Sequence, residues 1–251
     1  MLIIISPTKQ MKANERIKPE TQISFPEEST QILNTLKKLS LSELQQSMKV
    51  NEKIATENLK RYQELKLDGN GSSALFTYQG LQFKYMDIQT KEEIQYLQDH
   101  LRILSGLYGI VRPLDSIYPY RLEMQAKIAV NESDDIYAFW NHKLGDALLK
   151  EVKTHEVPMI LNMASKEYEK AVLPYLPEES YINLTFKIRK QGKLKIESTQ
   201  AKMARGRMIH YLASKQIQTL SEVQQFDEDG YQFIPSLSTK QEYVFVKEAS
   251  V

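Results

Sequence analysis

The 251-residue chain contains no cysteine, a single tryptophan and only four histidines. Without a thiol it forms no disulfide, no Cys-ligated zinc or iron–sulfur site, and cannot destroy peroxide by thiolate chemistry. His100, His142, His155 and His210 lack the spacing of a metal motif, so no metal and no other cofactor is expected. The chain also lacks a P-loop, a dinucleotide-binding glycine fingerprint and a G-x-S-x-G elbow, and the sequence assigns it no reaction. No apolar run approaches the roughly 20 residues that cross a bilayer. The opening MLIIIS has no basic residue before its apolar part and turns polar at Ser6, so it reads as a buried first strand rather than a secretion signal. No membrane partner and a cytoplasmic location are therefore expected.

What is present describes an ordinary globular protein, with 41% apolar and 26% charged residues. A chain of this length can bury a substantial core as one body. The net charge is +1, but it is unevenly spread. Between Thr185 and Lys215 nine lysines and arginines face a single acid, Glu197, which leaves +8 in that segment and −7 elsewhere. Such an asymmetry is the footprint expected for a polyanion, or else a solvated pair of elements neutralised by acids distant in sequence.

Along the chain, Leu2 to Ile5 is a buried strand that delivers Ser6, Thr8 and Lys9 to its C-terminal edge. Residues 13–26 are an irregular loop. Glu27 to Leu67 is helical, with Ser42 as a cap within it. The run DGNGSS at Asp68 to Ser73 is the strongest loop signal, and Ala74 to Tyr78 reads as a strand. Ile136 to Leu149 has the length of one buried helix. Met159 to Leu161 is again a short apolar strand, and it presents Asn162 and Ser165 at its end. Two strand ends bearing small polar residues, Ser6 and Thr8 on one and Asn162 and Ser165 on the other, can converge on one pocket. Lys190-Gln191-Gly192-Lys193 is the tip of a basic hairpin, and a helix from about Thr199 to Ser214 carries Lys202, Arg205 and Arg207. Gly230-Tyr231 and Tyr243 to Val246 suggest a last hairpin. The mixture of elements is α+β, or mixed α/β.

The stretch His100 to Met124 packs glycines, prolines, tyrosines and arginines between apolar residues. Thr90 and Glu93 have capping-box spacing, and Ile94, Leu97, Leu101 and Leu104 recur at helical spacing, which predicts a helix from Lys91 to Leu104 stopped by Gly106. The Gly106-Leu107-Tyr108-Gly109 turn is either the hairpin of a helix-hairpin-helix element spanning about 91–115, with backbone N–H groups facing a phosphate, or a buried tight connection. Pro113 would cut a second helix short. Asp115 and Glu123 are expected to pair with Arg112 or Arg121 rather than to do acid–base work.

Taken together, ISPTK at Ile5 to Lys9, HLRILSGLYGIVRPLD at His100 to Asp115, YRLEM at Tyr120 to Met124, LNMASKEY at Leu161 to Tyr168, AKMARGRM at Ala201 to Met208 and DEDGY at Asp227 to Tyr231 resemble the bacterial peroxide-stress family YaaA. The resemblance runs in order through nearly the whole chain. It implies one compact slice-shaped body over residues 1–251 with a basic cleft and a helix-hairpin-helix element, in a cytoplasmic protein that binds DNA and limits damage from intracellular iron under peroxide stress; double-stranded or distorted DNA is the expected partner, and the sequence does not set the oligomeric state, a monomer being the expectation. The DNA-binding residues it points to are Lys9, Arg102, Ser105, Gly106, Tyr108, Gly109, Arg112, Arg121, Lys202, Arg205 and Arg207. With few base-edge readers apparent, contact should be mainly to backbone phosphates. The competing expectation is an enzyme acting on a nucleotide, base or phosphorylated small molecule in the same cleft, which requires the two polar strand ends to meet in a pocket.

Overall fold

A computed structural model describes residues 1–249. Its centre is β1 (Leu2–Ile5), whose four side chains are all fully buried because the strand is covered on both faces. The chain then runs through a loop into α1 (Pro26–Lys38), α2 (Leu41–Met48) and α3 (Glu52–Glu64). The helical region predicted for residues 27–67 is thus three helices, and Ser40 rather than Ser42 is the cap of α2, exchanging hydrogen bonds with Glu43 in a capping box. Next come β2 (Ser72–Ser73), α4 (Ala74–Thr77), α5 (Leu81–Met86) and α6 (Lys91–His100). The segment expected as a strand at Ala74 to Tyr78 is a helical turn over Ala74–Thr77 instead, with the Ala74 and Leu75 amides bonded to the Asp115 and Pro113 carbonyls, and only Tyr78 forms an isolated β-bridge, to Met11.

After α6 follow β3 (Leu101–Ser105), β4 (Gly109–Val111) and β5 (Ser116–Ile117), then α7 (Ile136–Trp140) and α8 (Lys143–Val152). The single helix predicted over Ile136 to Leu149 breaks at Asn141, whose φ of 44° and ψ of −132° no helix accommodates. The remaining elements are β6 (Ile160–Asn162), α9 (Lys166–Glu169), β7 (Tyr181–Lys190), β8 (Lys193–Lys195), α10 (Ser198–Ser214), α11 (Leu220–Val223), β9 (Gln232–Phe233) and β10 (Glu242–Glu248). The β7–β8 turn has both central residues at positive φ, Gln191 at 51° and Gly192 at 73°, as the expected hairpin requires. The final pairing of β9 with β10 is antiparallel, also as expected.

The sheet order is β4-β3-β1-β6-β7-β10-β9, with β8 added to β7. Strands β3, β1, β6, β7 and β10 are parallel, and β4, β8 and β9 are antiparallel additions. β2 and β5 form a separate two-stranded ladder. This is an α+β fold around a mixed sheet, and one hydrophobic cluster extends from Met1 to Phe245. Among the described residues no helix is long and apolar enough to cross a membrane.

The largest departure from the sequence reading lies in the central stretch. The capping box of Thr90 and Glu93 is present, but α6 ends at His100 and Leu101–Ser105 is a strand. Residues Ile103 to Ser105 turn back antiparallel against Gly109–Val111, so the element is a β-hairpin inside the sheet and not a helix-hairpin-helix. The physical reason is burial on all sides. A helix would hide only one face of Leu101, Ile103 and Leu104, whereas a strand seated between β1 and β4 buries all five residues.

Candidate functional site

Parallel strands present their C-terminal ends to one edge of the sheet, and the connections leaving that edge build the site. β1 and β6 are neighbours in parallel register, with Ile4 opposite Asn162. Their exits meet as the sequence suggested: Ser6 Oγ donates to Ser165 Oγ at 3.1 Å and accepts the Ser165 amide at 2.8 Å. Thr8 follows on the first exit and bonds the Gln79 carbonyl at 3.4 Å, which holds the Ser6 to Gln10 loop against the start of α5. Gly80 permits that approach, since a Cβ there would overlap the Thr8 hydroxyl.

These exits floor a cleft of about 560 Å³, walled by the Tyr120 to Glu123 segment on one side and by the start of α10 on the other. Lys9, Arg121, Lys202 and Arg205 line it, drawn from three separate segments, together with Glu123 and Glu167. Four cations thus face two carboxylates. Lys9 Nζ and Arg121 Nη2 both reach Glu123 Oε1, at 3.0 and 3.1 Å, so half of the cationic character expected here is already answered by a buried acid. Glu123 Oε2 has no partner. Burial, and secondarily the charge of Glu123, raises the Glu167 carboxyl above the usual carboxylate range.

On the opposite wall, Gly206 sets the geometry. A Cβ at this position would overlap the Gln82 carbonyl and lie 2.7 Å from Tyr85 Cβ, so only glycine lets α10 press against α5. The close crossing brings Arg205 and Gln82 to the same cleft. Arg205 Nε and Gln82 Nε2 are both sealed and unpaired. Desolvation lowers the Arg205 pKa from its ordinary value, with Glu169 opposing the shift. Lys202 is exposed at the mouth.

Behind the floor, Tyr120, Tyr78 and Ser105 form a buried chain: Tyr120 OH lies 2.6 Å from Ser105 Oγ and 3.2 Å from Tyr78 OH. Burial pushes the Tyr120 phenol up to about 12, so it remains protonated.

The other predicted site residues lie elsewhere. Ser105, Gly106, Tyr108 and Gly109 are buried and lie outside this cleft. The Tyr108 amide is taken by Ser105 Oγ at 2.8 Å, the Gly106 carbonyl by Trp140 Nε1 at 3.0 Å, and a Cβ on Gly109 would sit 2.8 Å from the Trp140 ring. Arg102 is 4% exposed, held by Glu151 and by the carbonyls of Gln98 and Leu101. Arg112 is paired with the fully buried Asp115 at 3.0 Å. Arg207 stacks on Tyr85 with its guanidinium 5.0 Å from the ring centre and faces Asp229. Asn162 is buried and braces the β6 exit through Glu169, Asn183 and the Ala164 amide. The pairings of Asp115 with Arg112 and of Glu123 with Arg121 are those the sequence suggested.

Gln82, Glu167, Ser198 and Thr199 also line the cleft and carried no signal in the sequence, because each sits in an ordinary helical context. Among the described residues no three His, Asp or Glu side chains gather to hold a metal ion.

A family model described as peroxide stress protein YaaA matches residues 1–237. A UPF0246 protein of Clostridioides difficile strain 630 is 38% identical over 99% of this chain and 100% of its own length. One from Lactiplantibacillus plantarum is 40% identical, with 98% and 99% covered. One from Lachnoclostridium phytofermentans is 39% identical, with 100% and 98% covered. The chain therefore belongs to the peroxide stress protein YaaA family.

Proposed function

We propose that the protein binds DNA, duplex or distorted, mainly through backbone phosphates, and that in a cell under peroxide stress this occupation limits damage driven by free iron. The observation that carries the reading is the surface around the cleft mouth. Lys190, Lys193 and Lys195 are exposed on the β7–β8 hairpin, two residues separate Lys195 from the cleft-lining Ser198, and exposed Lys202 follows one turn into α10. A row of unpaired, solvent-facing lysines running into a cleft suits a phosphate backbone, which rewards cations that can release counterions.

The reading predicts an affinity for duplex DNA that falls steeply with salt. Fluorescence anisotropy at several salt concentrations tests it. Replacing Lys193, Lys195 and Lys202 by Glu should weaken binding and flatten the salt dependence by about three charges' worth of slope. Unchanged affinity and slope in this variant refute the proposal.

A second reading, an enzyme acting on a nucleotide or phosphorylated small molecule, is favoured by one observation: the Ser6 and Ser165 strand ends do meet on the floor of the cleft. Turnover assays on nucleotides and abasic or base-damaged DNA test it.

A further inference from the structure

Ile196 is 61% exposed, far above Tyr175 at 38% and Leu237 at 37%, the other exposed large apolar side chains among the described residues. Leu194, two residues earlier on β8, is half-buried but does not pack against the hydrophobic cluster. A lone exposed apolar residue is ordinary; the setting of this one is not. Among the described residues β8 pairs with β7 alone and is an edge strand. Lysines on such an edge discourage pairing with another chain, which accounts for Lys193 and Lys195. It does not account for an isoleucine left in water beside them.

The register of the hairpin sets Lys193 opposite Lys190 and Lys195 opposite Ile188 on one face, and Leu194 opposite Arg189 on the other, which alternation shares with Lys187. Arg189 meets Glu248 at 3.0 Å, whereas Lys190, Lys193 and Lys195 have no carboxylate partner among the described residues. Cations therefore stand on both faces of the ribbon. A two-stranded ribbon of this kind fits between the two phosphate backbones that wall a duplex groove. Gln191 and Gly192 hold its turn at positive φ, and a Cβ on Gly192 would meet nothing, so the tip is open to a partner. Two residues beyond Ile196, Ser198 lines the cleft, and Lys202 follows on α10. Ile196 thus sits at the cleft mouth with free lysines before and after it along the chain.

Lysines around an exposed apolar side chain suit either an anionic lipid surface or a nucleic acid. A bilayer is the poorer match, since even a whole acyl chain gives only marginal binding and a single isoleucine buries far less. A duplex needs only one such residue. It offers phosphates to the lysines and, where a step opens, an apolar slot between bases. We propose that Ile196 is an apolar wedge that enters between bases at a readily unstacked step while the hairpin lysines hold the flanking phosphates. The protein then favours duplex that is already bulged or mismatched, because there the stack is broken before the wedge arrives. The wedge rests on the DNA-binding reading and gives it a residue that separates distorted from regular duplex.

Fluorescence anisotropy of the full-length protein with a paired duplex and with the same duplex carrying a single-base bulge tests the wedge. The parent should bind the bulged duplex about tenfold more tightly. Ile196→Ser should bring that ratio close to one while leaving the affinity for paired duplex and its salt dependence unchanged, and Ile196→Leu should keep the preference. Because the side chain is so exposed, both variants should melt as the parent does. An aminopurine beside the bulge reports unstacking: its fluorescence should rise further with the parent and with Ile196→Leu, but not with Ile196→Ser. Two results overturn the wedge and leave the DNA-binding reading standing: paired and bulged duplexes bound equally well by the parent, or a preference that survives in Ile196→Ser. Absence of binding to either duplex at low salt overturns both. Binding to phosphatidylglycerol vesicles that Ile196→Ser abolishes, with no preference for the bulge, overturns the wedge and assigns the residue to a lipid surface instead.

Discussion

Ser6 and Ser165 are 159 residues apart in sequence, yet their hydroxyl oxygens lie 3.1 Å apart, and Ser6 Oγ also accepts the Ser165 amide. This contact ties together the exits of β1 and β6 and fixes the floor of the cleft. It depends on parallel pairing of two short strands, which puts both C-terminal ends on the same edge.

Ser6→Ala should destabilise the protein more than Ser165→Ala. The first leaves the Ser165 amide without its acceptor, at a cost of roughly 1–3 kcal/mol, whereas the second removes a hydroxyl whose loss orphans no backbone group. Thermal melts should show a drop of several degrees for Ser6→Ala and a smaller one for Ser165→Ala. Equal drops would show that the amide bond is not the stabilising part.

Gly206→Ala should cost about 1–3 kcal/mol, since the added methyl meets the Gln82 backbone and Tyr85 at distances no rotamer change relieves. Urea unfolding measures it. Because Gln82 and Arg205 share this crossing, the variant should also lose ligand or DNA affinity beyond what its stability explains. A stable variant would mean that α5 and α10 separate easily.

Ser105→Ala and Gly109→Ala test the role of the central turn. Ser105 bonds the Tyr108 amide and Tyr120 OH, and Gly109 has a φ of 72° under the Trp140 ring. Both variants should lose stability, Gly109→Ala more, through strain and overlap together. The affinity of the folded protein for duplex DNA should be unchanged. A selective loss of DNA affinity at full stability would restore the turn as a phosphate contact.

Acid should weaken the fold through His155. Burial, then the charges of the chain's amino terminus and His100, lower its pKa from 6.5 to about 4. Its ring stacks 5.2 Å from that of His100, itself lowered by burial. The unfolded chain therefore binds a proton near pH 6.5 that the folded protein refuses until about pH 4. The stabilisation is complete above pH 6.5 and is lost as pH falls towards 4. Melting temperature should decline between these values, and His155→Gln should flatten the decline above the carboxylate range. An identical pH profile in the variant would exclude His155 as a source.

Several elements were legible without coordinates because their determinants are local. The capping box of Thr90 and Glu93, the Gln191-Gly192 turn and the uniformly apolar Leu2 to Ile5 each specify their own geometry. Of the His100 to Met124 stretch only Tyr120 to Glu123 lines a cleft with the α10 cations, whereas the Ser6 and Ser165 strand ends do meet. Leu101 to Ser105 misled for an equally physical reason. Its leucines continue the helical spacing of α6, and only the neighbouring strands β1 and β4 convert that run into a strand. The Ala74 segment follows the same rule, decided by contacts outside its own window.

By itself, the sequence determined the chemistry available: no thiol, no metal spacing, a concentration of cations between Thr185 and Lys215, and small polar residues at two strand ends. Tertiary structure decided which of those groups were left for a ligand. Arg102, Arg112 and Arg121 look the same in sequence as Arg205, but each of the three meets a carboxylate in the folded protein and Arg205 meets none among the described residues. Charge pairing is a property of distance in space, and residue spacing along the chain does not encode it.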